Sequence, residues 1–162
     1  MEMITIINHF NKHHDIPTAD IAWMTSNKRQ VYDYLLLYPH RDFTIALLDS
    51  LVDLRKAQPD KTGIEDIMFA CLLVTLHRQI EDCLLIWKAK NIDFDTFCGV
   101  DIQLVPFMGV PATISYLQAS SDPDAPKALE YILECDEAAD FEQLDHYFSS
   151  VDLHWWMNCT SL

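Results

Sequence analysis

The stretch TGIEDIMFACLLVTLHRQIEDCLLIW, residues 62–87, decides the fold class. Its first half carries Ile67, Met68, Leu72, Leu73 and Leu76 around much of a helical circumference. A helix apolar on most sides is one enclosed by other elements, so residues 63–76 predict a central helix. Thr62 and Glu65 stand at capping-box spacing, with Thr as N-cap and Glu at the third helical position. His77 and Arg78 interrupt the apolar run, and a second helical pattern begins at Ile80 and continues through Cys83, Leu84 and Trp87. The pattern predicts two helices with a bend near residue 77. One long helix over 63–90 is the alternative.

The flanking chain repeats the helical period. Met3, Ile6, Ile7 and Phe10 predict a helix over 2–12, and Thr18 is placed to N-cap a short helix with Ile21 and Trp23. Val31, Tyr34, Leu35 and Tyr38 mark a third helix, ended by Pro39. Asp42 is read as the N-cap of a helix over 43–57, with Ala46, Leu47, Leu51 and Leu54 on its apolar face. Gln58-Pro59-Asp60-Lys61 is the clearest polar joint. Residues 100–105 have strand propensity but no partner strand, so a short helix is preferred there. Gly109 and Pro111 bound the next helix. Ser121-Asp122-Pro123 starts another, whose buried side is Ala128, Leu129, Ile132, Leu133 and Cys135. Asp140 is read as the cap of a last segment with Phe141, Leu144, Tyr147 and Phe148. The expected fold is therefore all-α without a sheet, either a multi-helix bundle or a repeat-like stack. One domain over 1–162 is expected, with a smaller N-terminal helical subdomain over 1–58 as the alternative.

Composition narrows the function classes. The chain has 162 residues, enough for a real core. Three glycines are too few for an all-β fold of this size or for a Gly-rich phosphate loop. Twenty-five acids against eleven lysines and arginines leave a formal charge of −14, which disfavours nucleic acid and anionic membranes as ligands. A basic protein is the complementary partner, and solubility alone is the competing explanation. The cysteines number five, an odd count without a CxxC motif, which fits buried free thiols in a reducing compartment. With no basic signal-peptide start and no apolar run near 20 residues, a cytoplasmic location is expected.

Catalytic and metal constellations are sparse. His77 with Glu81, and Glu142 with His146, have i, i+4 spacing, but each pair lacks further converging ligands and reads as a helix-surface pair. Adjacent His13 and His14 lie in a loop. Cys98 has no base or orienting group in view. No catalytic residue, metal or cofactor is therefore assigned, and a non-enzymatic role is expected.

The acids carry more information. Glu130, Glu134 and Glu137 share one helical face, and Asp136, Asp140, Glu142 and Asp145 lie close in sequence. Like charges at this spacing cost a few tenths of a kcal/mol per pair. Solubility tolerates that cost, and a surface built for a basic partner carries it too. Trp155 and Trp156 follow. Adjacent helical residues point about 100° apart, so one of the two is expected outside, as a partner anchor.

Three segments look familiar together: FDTFCGVDIQL over 94–104, GVPATISYL over 109–117, and ALEYI over 128–132 leading to Asp140 and Phe141. The pattern resembles small all-helical immunity proteins of bacterial polymorphic-toxin and contact-dependent growth-inhibition systems, over roughly residues 64–150. The resemblance implies a protein that binds a cognate toxin domain and blocks its active site. The toxin implied is a basic nuclease, with an EndoU-type RNase the nearest case. The shared features are helix-packing residues, so the toxin-binding set rests on acidity and aromatics: Glu130, Glu134, Glu137, Asp140, Trp155 and Trp156. A helical-repeat adaptor and a small helical metalloenzyme are the rival readings.

Overall fold

A computed structural model describes residues 2–159. All regular structure among them is helical, as the periodicity predicts. Two compact units are formed, one by residues up to His77 together with the segment from His154, the other by Arg78–Leu153.

The first unit contains α1 (Met3–His13), α2 (Thr18–Ser26), α3 (Lys28–Leu37), α4 (Arg41–Ala57) and α5 (Ile64–Thr75). Helix α1 buries Met3, Ile6, Ile7 and Phe10, and the Phe10 ring meets Phe43 of α4 edge-on at 5.4 Å. Helix α5 is buried at every position from Asp66 to Thr75, so the most apolar helix is indeed enclosed. The polar joint expected to bound a 1–58 subdomain lies inside this unit. There the Arg55 guanidinium donates to the Pro59 and Thr62 carbonyls, each at 2.9 Å.

Three expected caps move. The N-cap of α5 is Gly63, not Thr62, and no side chain caps it. Thr62 is extended, with its carbonyl engaged by Arg55, and the Glu65 carboxyl folds back over Gly63 in space that a Cβ there would fill. Helix α4 is capped by His40, whose Nδ1 accepts from the Phe43 amide, so Asp42 falls in the first turn. Helix α2 starts at Thr18, but Pro17 occupies the N-cap position.

A buried ion pair ties the unit together. Lys28 Nζ lies 3.0 Å from Asp66, with side-chain exposures of 1% and 3%, and it also donates to the Cys159 carbonyl at 2.8 Å. Cys159 is thus tied through its carbonyl to the Lys28–Asp66 pair that links α3 and α5. The 3-10 turn Trp155–Met157 packs on α5, and Trp156 is fully enclosed there.

Arg78 adopts φ 51°, a left-handed conformation that stops a continuous helix over 63–90. The helical run is interrupted between Thr75 and Asp82, and two helices stand where one was the alternative.

The second unit contains α6 (Asp82–Lys90), α7 (Phe94–Gly99), α8 (Val110–Ala119), α9 (Ala125–Glu137) and α10 (Leu144–Ser149). Residues 102–104 form a 3-10 turn, not a strand. A capping box does occur here, between Asp93 and Thr96 at the start of α7: the Thr96 amide donates to Asp93 and the Asp93 amide to Thr96. Gly109 takes φ 99° before α8 and Pro111 sits in its first turn, as expected for that boundary.

Helix α9 begins at Ala125, not at the Ser121–Pro123 stretch. It ends in a Schellman closure: the Ala139 amide donates to the Asp136 carbonyl and the Asp140 amide to the Cys135 carbonyl, both at 3.0 Å. Ala139 holds φ 66°. This closure is why Asp140 does not cap a last long helix. The chain turns through residues 138–143, and α10 is only six residues long.

Candidate binding site: an aromatic cleft with acidic walls

Helices α6 and α9 pack against each other, and α7 packs on α6. Between them lies a cleft of about 370 Å³ lined by Trp87, Asn91, Phe97, Lys127, Glu130, Tyr131 and Glu134. The contribution of α9 follows from its spacing. Lys127, Glu130, Tyr131 and Glu134 fall at i, i+3, i+4 and i+7, which is one stripe of a helix. Trp87 and Asn91 are likewise four apart along α6 and just past its end.

Three rings build the inner surface. The Tyr131 ring is 5.6 Å from Trp87 and 5.3 Å from Phe97, both tilted. Tyr131 and Phe97 are half-buried, and Trp87 is buried. Beneath Phe97, Lys90 Nζ lies 5.2 Å from the ring centroid and donates to the Phe97 and Val100 carbonyls. Burial holds the Lys90 ammonium below its ordinary range, and the charge of Asp101 opposes that shift. Lys90 thus satisfies the end of α7 and fixes the Phe97 ring.

Tyr131 is anchored on its other side. Burial is the main cause that raises its hydroxyl above the usual tyrosine range, followed by Cys135. The Cys135 thiol is raised too, by burial first and then by its hydrogen bond to Asp140. The Asn91 amide nitrogen donates to the Trp87 carbonyl at 2.8 Å, which leaves the amide oxygen as an acceptor beside the cleft.

Glu130 and Glu134 are exposed, and the cleft brings them together with the aromatics. Glu137 is exposed at the last position of α9 and does not line the cleft. Asp140 leaves the acidic stripe. Its backbone closes α9, its carbonyl accepts from Gln103 at 3.1 Å, and its carboxylate takes the Cys135 hydrogen bond. Trp155 and Trp156 belong to the first unit, and their fates differ. Trp155 is 61% exposed, whereas Trp156 is 0% exposed and stacks on His154 at 4.9 Å. Trp156 is therefore a core residue and not a surface anchor. The 3-10 turn puts the rings on different sides, and only one side faces α5.

The residues missed by sequence reasoning as site members are Trp87, Asn91, Phe97, Lys127 and Tyr131. The stripe 127, 130, 131, 134 was the available signal on α9. Nothing local joins α6 and α7 to it, because that proximity is long-range.

The other candidates separate. His77 and Glu81 flank the left-handed Arg78, so they do not share one helical face. Glu142 precedes α10 while His146 lies within it, and both are exposed. Among the described residues, no group of three or more His, Cys, Asp or Glu is arranged to hold a metal ion. Burial pushes the Cys71 and Cys83 thiols up to about 12, so neither is a nucleophile near neutral pH. Cys98 is exposed on α7. Among the described residues, no helix is long and apolar enough to cross a membrane. A second cleft of about 530 Å³ lies in the first unit, between α2 and α4, with Ile21, Leu51 and Leu54 against Thr25, Lys61 and Asp66.

Compared with known proteins, the chain matches no family model, no curated protein and no solved structure.

Proposed function

We propose that this chain is an inhibitory binding protein of the immunity type, acting without catalysis on a basic toxin domain in the cytoplasm. The toxin class that fits best is a nuclease, such as an EndoU-type RNase. A nuclease cleft is shaped to hold a phosphate array, and exposed carboxylates on α9 offer a charge pattern of the same sign. The observation that carries the reading is the placement of Glu130 and Glu134, both exposed, at an aromatic cleft in the second unit. Carboxylates at the rim speed encounter with a basic surface, and aromatic rings in the cleft slow release. The resemblance over residues 64–150 includes α9 and is consistent with this.

The test is co-purification with the product of the adjacent gene and a growth assay of that product with and without this chain. A stable complex and rescue of growth are expected. The pair Glu134→Lys and Glu137→Lys should slow association by about tenfold at low salt, and the difference should shrink as salt screens it. Unchanged association at low salt would show that the acidic face of α9 is not the interface. If the adjacent product is harmless and forms no complex, the adaptor reading takes its place.

A further inference from the structure

We propose that the cleft between α6, α7 and α9 is a socket for a single arginine side chain presented by the protein partner. This rests on the reading that the second unit docks a basic protein, and it names which atoms would do so. The lining is matched to a cation in two independent ways. The half-buried Phe97 and Tyr131 supply ring faces that carry negative potential, with the buried Trp87 packed against Tyr131 and Lys90 already held against one face of Phe97. Glu130, Glu134 and the Asn91 amide oxygen supply acceptors beside those rings. Neither carboxylate has an ion-pair or hydrogen-bond partner among the described residues.

Arginine fits this lining better than lysine. Its guanidinium is planar, stacks on aromatic faces, and directs several donors in its own plane toward carboxylates. A lysine ammonium is a compact, strongly hydrated charge that would leave much of the aromatic wall uncovered. A volume of about 370 Å³ accommodates one such side chain and not a folded segment.

Lys127 is the cation in the lining. It also borders the adjoining hollow of about 190 Å³ formed with Trp87, Lys88, Asn91 and Asp124. An exposed lysine stem reaches either hollow, so Lys127 acts as an internal competitor for the acceptors. Removing it should therefore improve binding, which a merely structural role for the cleft does not predict.

The experiment uses the full chain and Nα-acetyl-arginine methylamide as the probe. Aromatic NMR resonances of Trp87, Phe97 and Tyr131 are followed during titration. Saturable shifts in the millimolar range are expected for the arginine compound, with weaker binding of the lysine analogue and none of the neutral citrulline analogue. Glu130→Gln with Glu134→Gln should weaken binding by about tenfold, at roughly threefold per charge. Tyr131→Leu should weaken it by about threefold, and Lys127→Ala should tighten it by about twofold. Equal response to citrulline, or shifts confined to residues outside the cleft, would overturn the socket. The two levels of the argument separate cleanly. If partner binding is sensitive to charge reversal on α9 but the cleft ignores arginine, only the socket falls. If partner binding ignores charge reversal, the broader reading falls whatever the arginine titration shows.

Discussion

Two adjacent tryptophans offer a sharp test of the structure, because they are chemically identical and sit in opposite environments. Trp156 is fully enclosed against α5 and stacked on His154, with the ring planes 7° apart. A tryptophan buries about 150–250 Å² on folding. At about 25 cal/mol per Å² that is a transfer free energy of about 4–6 kcal/mol. Truncation to alanine leaves a cavity and regains part of the loss by local collapse, so Trp156→Ala should cost about 3–5 kcal/mol. Trp155 keeps 61% of its surface in water. Its truncation therefore has an upper bound near 2 kcal/mol, with an expected cost of about 1 kcal/mol. The assay is urea unfolding of each variant and the parent, followed in parallel by far-ultraviolet circular dichroism and by fluorescence. The indole emission should also differ, with Trp155→Ala removing a solvent-exposed, red-shifted component. If Trp156→Ala stayed within about 1 kcal/mol of the parent, or if Trp155→Ala were the costlier change, the inward and outward assignments would be wrong. The role of the C-terminal segment in the first unit would be wrong with them.

Two more outcomes follow from the buried lysines. Lys28→Met leaves the Asp66 carboxylate without the ammonium 3.0 Å away and releases the Cys159 carbonyl. A loss of about 3–5 kcal/mol is expected by urea unfolding, with most of it recovered in Lys28→Met combined with Asp66→Leu, since a well-packed apolar pair avoids the buried charge. Hydrogen exchange should meanwhile show residues 154–159 losing protection in the single variant. For Lys90, burial lowers the folded-state pKa below 10.5, so between that lowered value and 10.5 the unfolded chain binds more protons than the folded one. Stability from this group therefore rises with pH across that window. The stability margin of the parent over Lys90→Met, measured from pH 8 to 10.5, should widen; a margin that narrows would contradict the burial of this ammonium.

The helical character of the chain was legible because its signals are local. Apolar residues at 3, 6, 7 and 10, and the near-continuous apolar run of α5, report a helical period within a dozen residues. The Gly109–Pro111 boundary is similarly local, since one residue must accept positive φ and the other suits a first turn. Cap positions were less legible. Thr62 had a suitable side chain at a suitable spacing, but its carbonyl is claimed by Arg55, a choice made by packing and not by the tetrapeptide. Asp140 lost its expected role to the closure of α9 at Ala139, a left-handed alanine that sequence gives no reason to foresee.

The candidate site divides along the same line. Glu130 and Glu134 stood out by themselves, because repeated like charge along one helix face is visible in the sequence. Their neighbours in space did not, since Trp87 and Phe97 come from segments more than thirty residues earlier in the chain. The sequence determined that the chain is helical, acidic, and exposes carboxylates along one stripe, all properties carried by residues within a few turns of one another. Tertiary structure alone decided which tryptophan faces inward, which lysines are buried, and which aromatics stand beside the acids. Those outcomes depend on contacts between distant segments, where only the folded chain brings the groups within reach.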